Sequence, residues 1–229
     1  MTVAVVPVKD LARAKQRLAA RLEPSERRAL VVLMLEDVLQ TLRRVPALSG
    51  IMVVTREKEV AARAALFGAE VLEEPANDGY TSAVDRAARE LTRRGEPAML
   101  SIPGDVPGAS PDEIARLVAA SPDAPSIVLA PSRDERGTNA ALVCPPGAFD
   151  LRFGEPSFSA HVGRARDAGL AIEVLRLRGL GLDLDSPEDL DTFLREPTPT
   201  ASYYFLLEVL GSRARPRAPA PVTRTHRDP

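Results

Sequence analysis

Two aspartates, Asp183 and Asp185, occupy alternating positions immediately before a predicted helix start. Ser186 and Pro187 are typical of the N-cap and first residue of a helix. In an extended segment, the alternation places both carboxylates on the same side of the chain. Carboxylate oxygens are preferred ligands of hard cations such as Mg²⁺. By itself, the pair fits a metal site and a plain capped helix start equally well.

Four cationic side chains follow the first apolar run of the chain. Residues 2–6 are continuously apolar, and Lys9, Arg13, Lys15 and Arg17 come directly after them. Cations grouped at the end of a buried strand favour phosphate binding over a merely solvated face.

Short apolar runs alternate with helical patterns along most of the chain. This alternation is typical of an α/β domain with a mostly parallel sheet and helices on both faces. We predict strands at residues 2–6, 50–55, 69–73, 98–102, 126–130, 140–143 and 172–177. Helices are predicted at about residues 23–44, 57–67, 80–94, 111–119, 159–168 and 187–195.

Ligands of such sheets bind beyond the carboxyl ends of the strands. The cationic loop follows the first strand and Asp105, in a Pro-Gly-Asp turn, follows the fourth, so both should line one crevice. Asp183 and Asp185 join them if their own strand is suitably placed. Separated aspartates and a basic loop suit attack by an acceptor oxygen on a nucleoside triphosphate. Positioning, metal ions and cations supply most of the acceleration in such reactions.

Composition excludes several other classes of function. The chain has 229 residues, a net charge of -2, two histidines and one cysteine, Cys144. It lacks a Gly-rich Lys-Ser/Thr phosphate loop, a three-glycine dinucleotide fingerprint and a Gly-x-Ser-x-Gly elbow. The charge and the absence of Trp argue against nucleic acid as a partner. Without a visible secretory signal or membrane-length apolar run, we expect a cytoplasmic protein with no membrane partner.

The chain divides into three predicted parts. Residues 1–197 form one domain, and residues 198–211 contain a short amphipathic helix. That helix docks on the body or on a second subunit, which would make a homodimer. Residues 212–229 are rich in Arg, Pro and Ala, and we predict a disordered tail there.

Five segments in order resemble the CofC/FbiD family, guanylyltransferases of coenzyme F-420 biosynthesis. The first is Val6-Pro-Val-Lys-Asp-Leu-Ala-Arg-Ala-Lys-Gln-Arg-Leu18, and the second is the turn at residues 103–107. The others are Arg-Gly-Thr-Asn-Ala-Ala-Leu at 136–142, Phe-Gly-Glu-Pro-Ser-Phe at 153–158 with His161, and residues 182–190. The resemblance implies a single-domain, Rossmann-like fold of the MobA-like nucleotidyltransferases.

The resemblance also implies a nucleotide and metal site. Lys9, Arg13 and Lys15 would hold the triphosphate of GTP, with Lys15 nearest the α-phosphate. Asp105 and Asp185 would hold Mg²⁺, with Asp183 assisting. Lys15, Asp105 and Asp185 would therefore be the catalytic residues.

The acceptor implied by the resemblance is a three-carbon phospho-acid: phosphoenolpyruvate, 2-phospho-L-lactate or 3-phosphoglycerate. Thr138, Gly154 and Ser157 would cradle its phosphate and carboxylate, and pyrophosphate would be released. His161, inside a predicted helix, is interpreted as structural.

The base-binding segment departs from the family. Where the family usually has Gly-Leu-Asn, this chain has Gly79, Tyr80 and Thr81. Thr81 can hydrogen-bond but lacks the paired donor and acceptor of an amide, so nucleotidyl transfer is better supported than guanine preference. Two alternatives stay open: a MobA-like transferase with a sugar or molybdopterin acceptor, and a non-catalytic nucleotide-binding protein.

Overall fold

In the part of the chain that the structure describes, a seven-stranded sheet has the order β3-β2-β1-β4-β6-β5-β7. The computed structural model describes residues 1–9, 11, 15–76, 78–154 and 156–214. For residues 213 and 214, only the backbone is described. The strands are β1 Thr2–Pro7, β2 Leu48–Thr55, β3 Glu70–Glu73, β4 Ala98–Ser101, β5 Ser126–Pro131, β6 Thr138–Cys144 and β7 Ala171–Val174.

Within these described ranges, seven α-helices and one short 3-10 helix connect or follow the strands. The α-helices are α1 Pro24–Arg43, α2 Lys58–Leu66, α3 Tyr80–Arg93, α4 Pro111–Ala119, α5 Ser157–Asp167, α6 Pro187–Leu194 and α7 Ala201–Ala214, and the 3-10 helix is Gln16–Ala20. Ser186 caps α6 as predicted, because its Oγ accepts a hydrogen bond from the Asp189 N–H at 3.3 Å. Among the described residues, no helix has the length and apolar character needed to cross a membrane.

The central strands are buried on both faces because successive side chains enter two different apolar clusters. Ala4 and Val6 of β1 pack in one cluster, whereas Val3 and Val5 pack in the other. Continuous apolar runs are the expected sequence of such doubly covered strands. The prediction of an α/β fold with a mostly parallel sheet is confirmed.

One strand, β6, runs antiparallel to both of its neighbours. Its first residue, Thr138, pairs with Pro131 at the end of β5. The beginning of β6 therefore lies at the same edge of the sheet as the carboxyl ends of the parallel strands. This reversal brings Thr138 and Asn139 to the edge where ligands of such sheets bind.

The last predicted strand is shorter than its apolar run. We expected residues 172–177, but β7 spans Ala171–Val174. The Leu175 N–H still donates to the Leu129 carbonyl at 2.9 Å, so Leu129 faces β7. By alternation the next residue of β5 to face β7 is Pro131, which has no N–H to continue the ladder. Asp183 and Asp185 consequently lie on an irregular segment rather than directly on a strand end.

The C-terminal helix packs on the body of the domain. The Asp37 carboxylate of α1 accepts hydrogen bonds from the N–H groups of Ala201 and Ser202, both at 2.9 Å, which satisfies donors at the start of α7. Tyr203 and Leu206 are buried against α1 and α6. The helix extends through Ala214, three residues into the segment predicted as a tail. The remainder of that segment, residues 215–229, lies outside the described residues.

Candidate functional site

Lys15 lies between two of the predicted metal-binding aspartates. Its Nζ is 2.6 Å from Asp105 Oδ2 and 2.5 Å from Asp185 Oδ1. Only 7% of the Lys15 side chain is exposed. Lys15 immediately precedes the 3-10 helix and has a left-handed backbone conformation, with φ 55°. Three residues that are far apart in sequence thus form one charged cluster.

The turns that carry the two aspartates are joined by their backbones. The Leu184 N–H donates to the Asp105 carbonyl at 3.1 Å. Leu184 itself is fully buried in the apolar cluster that includes Leu18, three residues after Lys15. The same apolar cluster therefore anchors the segment that carries Lys15 and the turn that carries Asp185.

Charge interactions decide the protonation of Lys15. Burial alone would lower the pKa of its ammonium group, but the carboxylates of Asp105 and Asp185 raise that pKa above its usual value. Lys15 is therefore a cation at neutral pH. It offsets the repulsion between the two carboxylates.

Asp183 is held by a different contact. Asn139 Nδ2 donates to Asp183 Oδ1 at 3.0 Å and to the Leu180 carbonyl at 2.9 Å. Burial, followed by the charge of Asp105, raises the pKa of the Asp183 carboxyl, while the Asn139 hydrogen bond opposes this shift. The start of β6 is thus tied to the aspartate segment.

Lys9 lies at the end of β1 and contacts the segment before α3. Its Nζ is 3.2 Å from Oε1 of the buried Glu74 and also donates to the Gly79 carbonyl. Gly79 has φ +96°, a conformation that L side chains rarely adopt. Glu74 was not predicted as a site residue, because nothing local in its sequence marks it as the partner of Lys9.

Tyr80 and Thr81 close this side of the crevice. The rings of Tyr80 and Phe153 pack edge to face with centroids 4.6 Å apart. Burial, reinforced by the nearby Asp105 charge, raises the pKa of the Tyr80 phenol. Thr81 Oγ1 accepts the Phe153 N–H at 3.0 Å, so its oxygen ties α3 to the loop before α5.

Two cavities meet at Asp185. One has a volume of about 280 Å³ and is lined by Lys9, Lys15, Tyr80 and Asp105 among others. The other has a volume of about 550 Å³ and is lined mainly by polar residues, including Asn139 and Asp183. Asp185 lines both cavities, so ligands in the two spaces would meet at this carboxylate.

The three predicted acceptor-binding residues lie around the start of α5. Ser157 is the first residue of α5, earlier than the predicted start at 159, and its Oγ accepts the Thr138 N–H at 3.0 Å. Thr138 Oγ1 is 2.9 Å from His161 Nδ1. Gly154 has φ +133°, which requires glycine although a Cβ there would meet nothing within 4 Å.

The family model described as "Guanylyl transferase CofC like" matches residues 2–222. The chain belongs to this CofC-like family.

Three relatives of this CofC-like protein differ in the acceptor that they are named for. It is 43% identical to the phosphoenolpyruvate guanylyltransferase of Sphaerobacter thermophilus, over 83% of this chain and 91% of that one. Identity is 34% to the 2-phospho-L-lactate guanylyltransferase of Methanothermobacter thermautotrophicus, over 82% of both chains. Identity to the 3-phospho-D-glycerate guanylyltransferase of Colwellia psychrerythraea is 33%, over 82% of this chain and 88% of that one.

A solved nucleotidyl transferase from Methanothermobacter shares the fold. The TM-score is 0.64 at 20% identity, covering 85% of this chain and 98% of that one. The predicted Rossmann-like nucleotidyltransferase fold and the predicted family are both confirmed.

The carboxylates of this CofC-like chain suit a magnesium ion that is shared with substrate phosphates. Mg²⁺ is usually bound by one or two carboxylates plus phosphate oxygens and water. Asp105 and Asp185 supply two carboxylates, and the buried Asp105 Oδ1 has no hydrogen-bond partner among the described residues. In the part of the chain that the structure describes, no group of three or more Asp, Glu, His or Cys side chains forms a metal cage. The protein ligands fit Mg²⁺ only if the substrate completes the set.

The two cavities bring together Lys9, Lys15, Asp105, Asp183 and Asp185, to which the structure adds Asn139 in the cavity lining and Glu74 as the partner of Lys9. Among the described residues, Thr138, Gly154 and Ser157 form a separate group around the start of α5 and are not part of either lining. Asn139 had a usable signal, since it directly follows Thr138 in the Arg-Gly-Thr-Asn segment. Arg13, predicted to hold the triphosphate, lies outside the described residues.

Proposed function

We propose that this chain transfers GMP from GTP to the phosphate of a three-carbon phospho-acid and releases pyrophosphate. The acceptors are phosphoenolpyruvate, 2-phospho-L-lactate or 3-phosphoglycerate, and the setting is coenzyme F-420 biosynthesis in the cytoplasm. The observation that carries the proposal is the position of Lys15 between Asp105 and Asp185, at the sheet edge where Thr138 also lies. Membership of the CofC-like family supports it independently.

We assign the two cavities to the two substrates. The space lined by Lys9 and Lys15 suits the triphosphate, because cations neutralise phosphate charge. We place the acceptor at the start of β6, where Asn139 lines the polar space and the preceding residue, Thr138, lies at the same edge of the sheet. Asp185, which lines both, then stands where the two substrates react.

In the reaction, a phosphate oxygen of the acceptor forms a bond to the α-phosphorus of GTP. The bond from that phosphorus to the oxygen that bridges to the β-phosphorus breaks, and pyrophosphate leaves with the electron pair. Lys15 offsets the negative charge that develops around the α-phosphorus, while Lys9 and Arg13 hold the rest of the triphosphate. One well-placed donor of this kind is worth roughly 3 kcal/mol of transition-state stabilisation.

Asp105 and Asp185 would hold Mg²⁺, with Asp183 supporting them through Asn139. When bound, the ion would polarise phosphate oxygens and neutralise their charge. On the acceptor side, the hydroxyl groups of Thr138 and Ser157 orient the phospho-acid, and Gly154 keeps the loop open beside them.

The experiment is a matrix of four nucleoside triphosphates against the three phospho-acids and a set of sugar phosphates, with pyrophosphate release measured and products identified by mass. We expect Mg²⁺-dependent formation of a guanosine diphosphate adduct with at least one acceptor. Release of pyrophosphate only with sugar phosphates would favour a different MobA-like transferase. Binding without turnover in every combination would leave a non-catalytic nucleotide-binding protein.

A further inference from the structure

His161 is fully buried in α5 and bonded at both of its ring nitrogens. Nε2 lies 2.9 Å from the backbone nitrogen of Arg152, and Nδ1 lies 2.9 Å from Thr138 Oγ1. Both contacts are of normal hydrogen-bond length. The imidazole therefore connects the loop before α5 to the first residue of β6.

The contact with Arg152 fixes the tautomer of the ring. A backbone N–H can only donate, so Nε2 must accept and carries no proton. In the neutral imidazole the single proton is then on Nδ1. His161 consequently donates its Nδ1–H to the Thr138 oxygen.

This direction of donation constrains the Thr138 hydroxyl. Its oxygen accepts the His161 proton, so its own O–H is left to donate elsewhere. Ser157 is in the same state, because its Oγ accepts the Thr138 N–H at 3.0 Å. Within the described residues, neither hydroxyl hydrogen has an acceptor among the hydrogen bonds of the site. Two O–H donors side by side suit an anionic ligand.

The surroundings of the ring keep it neutral. Phe149 and Phe153 pack edge-on against it, with centroid distances of 5.9 and 5.4 Å. Burial, aided by the positive charge of Arg164, lowers the pKa of His161 to about 4. A protonated ring would also lose the Arg152 contact, since both nitrogens would then be donors.

We propose that His161 is a positioning residue that holds the Thr138 hydroxyl as a hydrogen-bond donor to the phospho-acid. The proposal rests on the proposed function, in which Thr138 binds the acceptor. His161 touches neither substrate and acts only through Thr138.

The tautomer can be measured on the unaltered, ¹⁵N-labelled chain by long-range ¹H–¹⁵N correlation of the imidazole. His161→Phe and His226→Phe assign the two histidine spin systems. We expect the Nδ1–H pattern for His161, unchanged from pH 8 to pH 5.5. An Nε2–H pattern, or a ring that titrates near pH 6.5, would overturn the proposal.

Kinetics then separate positioning from general structural support. Thr138→Val removes the hydroxyl group. His161→Phe keeps an aromatic ring but removes the Nδ1–H that donates to the Thr138 oxygen. Each should raise the KM for the acceptor about fivefold to tenfold, as expected for one hydrogen bond, and leave the KM for GTP unchanged. Because His161 acts through Thr138, the double variant should be no worse than Thr138→Val alone.

Matched controls are available for both substitutions. Thr92→Val removes a hydroxyl that donates to the Ala88 carbonyl within α3, and His226→Phe repeats the histidine change outside the described residues. Neither should change the acceptor KM. Single-variant effects that multiply in the double variant, or an equal rise in the KM for GTP, would contradict the proposal.

The two levels of proposal fail in different ways. If the proposed function is wrong, no phospho-acid reacts, yet the tautomer is still measurable. If only the role of His161 is wrong, Thr138→Val weakens the acceptor while His161→Phe does not. Should His161→Phe fail to fold, the tautomer of the unaltered chain decides.

Discussion

Lys15 carries its charge between two carboxylates in a position that is largely shielded from water. The same carboxylates are the proposed ligands of Mg²⁺, so the ammonium group and a metal ion would compete for them. A divalent ion with substrate phosphates would release Lys15, which could then contact the α-phosphate. Lys15 would thus hold the site together before substrate arrives and serve the reaction afterwards.

Lys15→Met tests this exchange. Without the ammonium group, Asp105 and Asp185 should bind Mn²⁺ more tightly in the absence of nucleotide, because the competing cation is gone. Turnover should fall about 100-fold or more, as expected for loss of a charge-stabilising donor. Titration calorimetry and Mn²⁺ electron paramagnetic resonance measure the first effect, and pyrophosphate release measures the second.

Lys58→Met is the matched control, since Lys58 is exposed on α2. It should alter neither quantity. Weaker Mn²⁺ binding by Lys15→Met, or turnover close to that of the unaltered chain, would contradict the exchange.

At the scale of elements, α7 packs on the residues that support the charged cluster of Lys15, Asp105 and Asp185. Tyr203 and Leu206 share an apolar cluster with Leu18 and Leu184. Leu18 lies three residues after Lys15, and Leu184 immediately precedes Asp185. A helix that was predicted only to dock thus packs on the residues that position the charged cluster. Loss of its packing should be felt both in stability and at the site.

Leu206→Ala and Leu207→Ala form a matched pair on adjacent residues of α7. Leu206 is fully buried, whereas 45% of Leu207 is exposed. The first change should lower the free energy of unfolding by about 2–5 kcal/mol, because it leaves a cavity. The second should change it by less than about 0.5 kcal/mol. Urea denaturation followed by circular dichroism measures both, and equal losses would show that α7 does not pack on this face.

The sequence could not predict whether each strand runs parallel or antiparallel to its neighbours. The apolar run of β6 has the same pattern whether the strand is parallel or antiparallel, because alternation carries no direction. The reversal matters at the site, since it moves Thr138 and Asn139 to the ligand-binding edge. The family resemblance nevertheless identified Thr138 as a candidate site residue, whereas Asn139 was not predicted as one.

At the scale of the whole molecule, the sequence predicted what depends on strand order along the chain. Lys15 and Asp105 follow strands that prove to be neighbours, so their shared crevice could be inferred from the topology rule alone. Long-range partners could not be inferred. Glu74 meets Lys9, and His161 meets Arg152 and Thr138, only after the chain folds.

The burial of His161 also has a consequence for the stability of the whole molecule. Its pKa in the folded chain is lowered to about 4, whereas an unfolded histidine titrates near 6.5. The unfolded chain therefore binds the proton first as the pH falls. The neutral ring contributes stability that is fully present above about pH 6.5 and is lost as the pH falls toward 4.

The free energy of unfolding of the unaltered chain should therefore fall between pH 6.5 and pH 4, with up to about 1.4 kcal/mol per pH unit from this residue. His161→Phe lacks the titrating group, so its unfolding free energy should fall less steeply in the same window. His226→Phe should follow the unaltered chain. Asp183 has a raised pKa and opposes the trend at the acid end, but it is present in all three proteins and cancels in their difference. Parallel curves for the unaltered chain and His161→Phe, measured by urea denaturation at each pH, would show that the buried ring does not carry this acid sensitivity.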